Sequence, residues 1–125
     1  MGKISRELVA ASSKMIILSI LSMEDNYGYN ILESIKTFTK GFWEWKEGML
    51  YPMLHKMEKD KLIQSYWKDT PSGKKRKYYH ITQNGVSALQ KEKEEWAFVN
   101  QTLSEIWRMN DVRIFLCEAL EKLDR

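Results

Sequence analysis

Apolar residues recur every three or four positions in three successive segments of the chain, which is the spacing of one face of an α-helix. The first segment spans Arg6–Met23 and ends before a polar run. The second extends from about Tyr27 to Thr39, where Lys40 and Gly41 are typical of a helix end. The third extends from about Glu47 to Lys61. The pattern therefore predicts three consecutive helices in the first half of the chain.

The third predicted helix has two faces of different chemistry. Its apolar face is formed by Leu50, Met53, Leu54 and Met57. Its other side carries hydrogen-bonding and cationic side chains, namely Tyr51, His55, Lys56 and Lys59. Pro52 is tolerated only near a helix start, where missing backbone donors matter least, so we expect the first turn at Gly48–Tyr51 with some distortion there.

A β-hairpin is predicted directly after the third helix. Ile63–Lys68 and Lys75–Ile81 are rich in aromatic and branched residues, and residues 69–73 between them favour a turn. Alternation along the second strand places Tyr79 on the same face as Ile81, toward the core.

Four consecutive cations stand at this hairpin: Lys74, Lys75, Arg76 and Lys77. Neighbouring like charges repel and contribute nothing to a fold, whereas beside DNA each can release a counterion and strengthen binding. This order of elements, two helices followed by a basic helix face and a basic hairpin, is typical of a winged helix-turn-helix that binds DNA. The alternatives are a solvated basic helix face and a run of cations that serves only solubility.

Two further helices are predicted in the last third of the chain. Thr82 is a suitable N-cap for a fourth helix over about Gln83–Met109, in which Leu89, Trp96 and Leu103 keep a seven-residue spacing. Asn110 and Asp111 then predict a break, followed by a short fifth helix that ends near Leu123. The fold is therefore predicted to be mostly α with a small β-hairpin.

Charge is distributed unevenly along the chain. The net charge is only +3, but residues 91–125 hold 6 Lys and Arg against 8 Asp and Glu, leaving 14 against 9 for residues 1–90. The basic part should face phosphate. We expect a winged helix-turn-helix DNA-binding domain in residues 1–82 and a helical dimerisation region in residues 83–125.

Several other classes of protein are disfavoured by the same sequence. Cys117 is the only thiol, and it shows no metal-ligand spacing with His55 and His80, so we expect neither a metal site nor a cofactor. No segment is apolar over the roughly 20 residues that a membrane helix needs. Nothing resembles a catalytic motif. A cytoplasmic, non-enzymatic protein without a membrane partner is the expectation.

Trp96 lies in the middle of the apolar stripe of the fourth predicted helix. Two interpretations stay open: a tryptophan packed tightly in a dimer seam, and an aromatic wall of a hydrophobic slot for a small planar ligand.

Three segments of the chain resemble the PadR family of bacterial transcriptional regulators: residues 26–29, residues 47–63 and residues 73–82, with Gly85 after them. The Gly-x-Leu-Tyr-Pro sequence at residues 48–52 and the Arg-Lys-Tyr-Tyr sequence at residues 76–79 are the specific motifs. The resemblance spans roughly residues 8–109.

The resemblance implies a homodimeric winged-helix repressor that leaves its operator DNA when a ligand binds. The chain looks most like short, multidrug-responsive members, in which a tryptophan of the fourth helix pairs across the dimer around a flat ligand. Lys93 stands where those members have an aromatic residue. The residues implied for the pocket or the dimer seam are Met15, Ser19, Leu89, Trp96, Val99, Asn100 and Leu103.

Two rival functions are also compatible with the sequence. A winged helix can serve as a protein-interaction module without operator specificity, and its partner affinity would then hardly depend on salt. A dimer pocket can also serve a small-molecule scavenger, which would bind ligand without preferring any duplex.

Overall fold

The computed structural model describes residues 4–123, which divide into two compact units, residues 4–90 and residues 91–123. The helices are α1 (Arg6–Met23), α2 (Gly28–Phe38), α3 (Glu47–Lys59) and α4 (Gln83–Leu123), and the strands are β1 (Asn26–Tyr27), β2 (Ile63–Asp69) and β3 (Lys75–Ile81). The second unit consists of α4 alone, from residue 91 onward. The prediction of a mostly α fold with a small β-hairpin is confirmed.

α1 begins and ends where the sequence predicts. Ser5 is its N-cap, and the Ser5 hydroxyl oxygen accepts a hydrogen bond from the Leu8 amide at 3.2 Å, which satisfies one of the free donors of the first turn. Ile17, Leu18 and Leu21 are at most 2% exposed and supply the contribution of α1 to the core.

α2 and α3 end in the same way. The residues after their C-caps, Lys40 and Lys61, have left-handed φ angles of 53° and 63°. In each case the next amide donates to the carbonyl five residues earlier, at 2.7 Å in α2 and 3.0 Å in α3. The prediction that α3 extends to Lys61 is therefore too long, because the left-handed residue ends the regular hydrogen bonding.

Pro52 lies in the second turn of α3, since that helix begins at Glu47. Pro52 has no amide hydrogen, so the carbonyl of Gly48 lacks its usual helical donor. Gly48 is exposed, so water can donate a hydrogen bond to this carbonyl instead. The predicted first turn at Gly48–Tyr51 is thus correct to within one residue.

The sheet contains one strand more than the predicted hairpin. The order is β1-β3-β2 and all pairs are antiparallel. The register of the hairpin runs from Ile63 opposite Ile81 to Asp69 opposite Lys75. β1 pairs its two residues with Tyr79 and Tyr78 of β3. So short a strand has no periodicity, and an apolar pattern cannot reveal it.

One core joins the first three helices to the sheet. Tyr79 is 1% exposed, which confirms its predicted inward direction. The hydrophobic residues that are at most 2% exposed are Ile17, Leu18, Leu21, Ile31, Ile35, Leu50, Leu54, Ile63 and Tyr79.

α4 is continuous, and the predicted break at Asn110 and Asp111 with a separate fifth helix is wrong. Each of these residues disfavours a helix interior by only about 0.7 kcal/mol relative to Ala. Neither Gly nor Pro occurs between Val86 and Leu123, so the helical hydrogen bonds continue through the pair. The predicted domain boundary after residue 82 stays a prediction.

Thr82 joins the end of α3 to the start of α4. Its hydroxyl donates to the carbonyl of Lys61 at 2.6 Å and accepts from the amide of Gly85 at 3.1 Å, so the predicted N-cap is confirmed. A Cβ added at Gly85 would lie 2.2 Å from the carbonyl oxygen of Leu62 and 2.7 Å from Ile81 Cγ1. The first turn of α4 therefore packs in direct contact with the backbone that follows α3.

Replacing Gly85 by Ala is expected to lower the free energy of unfolding by about 1–3 kcal/mol, because the added methyl group forces backbone apart. The matched control is Gly48→Ala, where an added Cβ meets nothing within 4 Å. That change should raise the free energy of unfolding by up to about 1 kcal/mol through helix propensity. Urea unfolding followed by circular dichroism measures both, and equal effects would contradict the close approach at Gly85.

Candidate nucleic-acid interface

The solvent-facing side of α3 carries the four residues predicted for DNA binding. Tyr51, His55, Lys56 and Lys59 are all exposed. Glu58 ties the helix to β2, because its Oε2 accepts a hydrogen bond from the amide of Ser65 at 3.0 Å and another from the Ser65 hydroxyl. The exposed face of α3 is thus held in a fixed direction.

The four cations of the hairpin occupy different environments. Lys74–Lys75 are exposed beside the turn. The guanidinium carbon of Arg76 lies 4.5 Å from the ring centre of Tyr27, and Nζ of Lys77 lies 5.7 Å from that of Tyr79. Aromatic faces attract cations. Arg76 and Lys77 therefore lie over the rings of the sheet, whereas the first two cations reach into solvent.

A cavity of about 210 Å³ lies where β3, the start of α2 and α3 meet. It is lined by Tyr27, Gly28, Tyr29, Tyr51, Arg76, Lys77 and Tyr79. α2 begins at Gly28, and the free amides of a first helical turn carry partial positive charge. No carboxylate is among the described residues that line the cavity. Its chemistry suits an anion, and we call it the anion cavity.

Gly28 is the point of contact between α2 and α3 beside the anion cavity. A Cβ added at Gly28 would lie 2.5 Å from the hydroxyl oxygen of Tyr51. The hydroxyl of Tyr51 thus packs against the first residue of α2, and the side chain is 36% exposed. Glycine at this position permits the close approach, because any Cβ would require the ring of Tyr51 to shift.

Asp25 connects the loop after α1 to the outer face of both long strands. Its Oδ2 accepts a hydrogen bond from the hydroxyl of Tyr66 at 2.7 Å, and its Oδ1 lies 2.7 Å from Nδ1 of His80. Burial raises the pKa of Asp25, but the hydrogen bonds from Tyr66 and His80 and the charges of His80 and Lys68 together outweigh it and lower the pKa. The carboxyl group is therefore ionised at neutral pH.

An aromatic row crosses the outer face of the sheet. The rings of Tyr66 and Tyr78 stack with centres 5.8 Å apart, and those of Tyr78 and Tyr27 meet at 59° with centres 5.3 Å apart. Nζ of Lys68 lies 5.0 Å from the centre of the Tyr78 ring. The row ends at Tyr27, beneath the guanidinium of Arg76. It links the Asp25 contacts to the anion cavity.

Comparison with known proteins decides the family. Residues 17–91 match the profile of the transcriptional regulator PadR-like family. The chain belongs to this family. A PadR-like transcriptional regulator of Bacillus cereus is 35% identical with a TM-score of 0.72, over 80% of this chain and 95% of that one. A transcriptional regulator of Clostridium thermocellum is 30% identical with a TM-score of 0.71, over 79% of this chain and 96% of that one.

A longer relative also matches the PadR region. The transcriptional regulator YqjI of Escherichia coli is 27% identical over 72% of this chain, which spans 42% of that protein. The resemblance to PadR seen in the sequence is thus confirmed, and every residue that lines the anion cavity lies inside the matched residues 17–91.

Five residues of this interface were not predicted as site residues from the sequence of this PadR chain: Asp25, Tyr27, Gly28, Tyr29 and Tyr79. Four of them, all except Asp25, entered only as part of a family motif. The available signal was a glycine between two tyrosines at a helix start, since glycine there indicates close approach of another group. Asp25 carried no signal, because its partners lie far along the chain.

The residues implied by the PadR resemblance for a pocket or a seam lie on two helices. Met15 and Ser19 are half-buried and one turn apart on α1, and Leu89 is 4% exposed within the core. In the second unit, the spacing of the remaining four places them on one side of α4: Trp96, Val99, Asn100 and Leu103. Of these, Trp96 and Leu103 are half-buried and the other two are exposed.

Among residues 4–123, no three His, Cys, Asp or Glu side chains gather closely enough to hold a metal ion. Within the same range, no helix is both long and apolar enough to cross a membrane. Cys117 is exposed on α4.

The phenol of Tyr79 predicts a loss of stability at high pH. Burial, followed by the charges of Glu58 and Tyr51, raises the pKa of Tyr79 above 10.0. The unfolded chain therefore loses this proton first, so the contribution to stability is present below pH 10 and is lost as the pH rises through the folded pKa. The free energy of unfolding should fall above pH 10, and fall less in Tyr79→Phe.

Urea unfolding between pH 8 and 11.5 tests this expectation. Tyr66→Phe is the matched control, because the pKa of Tyr66 is also raised, mainly by its hydrogen bond to Asp25, but the side chain is exposed. We expect Tyr66→Phe to reduce the alkaline loss of unfolding free energy less than Tyr79→Phe does. The same alkaline loss in the wild type and in Tyr79→Phe would contradict the assignment.

Proposed function

We propose that this PadR-family chain is a sequence-specific DNA-binding repressor, that it acts as a homodimer, and that a small planar hydrophobic ligand bound between the protomers releases it from its operator. The observation that carries the DNA-binding part is the anion cavity beside the exposed face of α3. It supports a phosphate contact next to the surface that would enter the major groove.

A DNA backbone phosphate is the anion that we assign to the cavity. Arg76 and Lys77 supply charge, the hydroxyl of Tyr51 supplies a donor, and the first turn of α2 supplies backbone amides. Hydrogen bonds in which one partner is charged are about twice as strong as neutral ones. A phosphate held there would fix the position of α3 on the duplex without itself carrying sequence information.

The other side chains on the exposed face of α3 would recognise the bases. Lys56 and Lys59 can donate to guanine O6 and N7, and His55 can donate to or accept from a base edge. Lys74–Lys75 at the hairpin turn would follow the flanking phosphates or enter the minor groove. Two copies related by a two-fold axis would read half-sites about 10 base pairs apart, or a multiple of that spacing.

A second copy of the chain is the partner that the second unit requires. Exposed fractions on one face of α4 are 68% for Phe115, 53% for Leu116 and 81% for Leu123. Soluble proteins rarely leave so much contiguous apolar surface uncovered. Two copies of α4 present the same stripe to each other, and with α1 of the partner they would bury it.

The ligand part of the proposal is supported by Trp96. Its indole is half-buried on the side of α4 that also carries Val99 and Leu103. Paired tryptophans across a two-fold axis would form a flat apolar slot. A ligand that favours a different angle between protomers would weaken DNA binding, and DNA would weaken ligand binding by the same factor.

The first experiment is fluorescence anisotropy of a labelled duplex from the region upstream of this gene, with a shuffled duplex as control, at several salt concentrations. We expect tight binding of two chains per duplex, with a preference for the native sequence. Equal, weak and salt-dominated binding to both duplexes would contradict operator recognition. A single chain per duplex would contradict the homodimer.

Changing Lys75, Arg76 and Lys77 together to Ala should weaken binding to all duplexes alike and reduce the salt slope by up to about three units, since each phosphate contact accounts for about 0.9. The matched control removes three exposed cations outside the hairpin, Lys36, Lys91 and Arg113, and should leave the slope nearly unchanged. A slope that falls equally in both variants would show a general effect of net charge and not a contact made by the hairpin of β2 and β3.

Trp96→Ala should weaken the binding of a planar dye such as proflavine about tenfold, measured by calorimetry without DNA, because a stacked aromatic face is lost. Trp67→Ala removes an indole that is 66% exposed on β2 and serves as control. Unchanged dye affinity in the Trp96 variant would show that this residue belongs to a packed seam.

A further inference from the structure

Trp67 is a large apolar side chain of β2 that the core does not use. It is 66% exposed. Among residues 4–123, no other ring stacks on the indole and no side chain forms a hydrogen bond with it. A single exposed aromatic residue is ordinary on a protein surface. Its place relative to the proposed DNA contacts is what gives Trp67 a role.

The register of the hairpin places Trp67 beside the anion cavity. Trp67 stands directly opposite Lys77, and Lys77 lines that cavity. Residues opposite each other in an antiparallel pair point to the same face of the sheet, with Cβ atoms about 5 Å apart. The indole therefore lies on the inner face of the hairpin, one strand away from a cation that we assign to phosphate binding.

The core ends one residue pair before Trp67. Tyr79, opposite Ser65, is 1% exposed, and the next pair toward the turn on the same face is Trp67 with Lys77. The Ser65 amide donates to Oε2 of Glu58 at 3.0 Å, which holds β2 to α3 two residues before the indole. Trp67 thus projects past the core from a strand that is fixed to the helix proposed to read the bases.

Deoxyribose is the apolar group that DNA presents next to every phosphate. The sugar is bonded to the phosphate, so a side chain about 5 Å from Lys77 would meet the sugar of the nucleotide whose phosphate enters the anion cavity. The face of an indole buries a large apolar area against such a group. Contacts with the sugar add affinity and position the protein, but they carry no sequence information.

We propose that the indole of Trp67 packs on the deoxyribose attached to the phosphate held in the anion cavity. The hairpin then contributes an apolar DNA contact beside its cationic ones. This inference rests on the proposed DNA binding and on the assignment of a backbone phosphate to the anion cavity. The contact strengthens the binding of any duplex and does not select the operator.

The test measures dissociation constants for the native and the shuffled duplex at several salt concentrations. Trp67→Ala should raise both constants about tenfold at every salt concentration, because an apolar contact is lost. Its salt slope should equal that of the wild type, since a sugar contact releases no counterion, whereas Lys77→Ala should reduce the slope by about 0.9. Trp67→Phe keeps an aromatic face, so its constants should stay within about threefold of the wild type.

Phe38→Ala is the matched control. Phe38 is 67% exposed, and it lies ten residues after Gly28, which places it about 15 Å along α2 from the anion cavity. We expect its dissociation constants to equal those of the wild type. A reduced salt slope in Trp67→Ala, like that of Lys77→Ala, would show that the indole only holds the hairpin in place. A loss confined to the native duplex would show that the indole reads bases. Either result would overturn the sugar contact.

Quenching by acrylamide gives a direct readout of the indole. The emission of Trp67 is the difference between the spectra of the wild type and Trp67→Phe, and either duplex should protect it from the quencher. If the two duplexes bind equally and both protect Trp67, operator recognition is wrong and the sugar contact stands. If the native duplex is preferred but leaves the quenching of Trp67 unchanged, the sugar contact is wrong and the proposed function stands.

Discussion

Strand β3 lies between β1 and β2, and its alternation decides on which face of the sheet each of its charged and aromatic side chains lies. Lys77, Tyr79 and Ile81 point to the inner side, and the residues between them point to the outer side. A slip of one residue would exchange the two faces and expose the buried phenol of Tyr79. The core therefore fixes the register of β3, and this register determines the face of the sheet on which each cation of β3 lies.

The elements of this fold were predictable where apolar residues repeat over several turns or strand positions. α1 could be placed from its sequence to the residue, and β3 as well, because each buries a continuous stripe. β1 was missed because two residues carry no period. The predicted break at Asn110 failed because residues that favour turns only weaken a helix, and no other residue nearby ends it.

The candidate site was predictable in part, and for a different reason. Tyr51, Arg76 and Lys77 could be named from the types of side chain and their order along the chain. That they share one cavity depends on the approach of α2 to α3 at Gly28, which is a property of packing and has no periodic signature. The four cations are consecutive in the sequence, but they lie in different environments in the structure. Arg76 and Lys77 point to opposite faces of β3, and each lies over a different aromatic ring.

The junction at Thr82 gives the first turn of α4 a mechanical role. One hydroxyl binds both the end of α3 and the start of α4, and Gly85 leaves no space beside the carbonyl of Leu62. Interiors packed this closely have low compressibility, so they transmit displacements and do not absorb them. The first turn of α4 and the end of α3 therefore move as one rigid unit. A tilt of the first turn of α4 changes the direction in which the exposed face of α3 points.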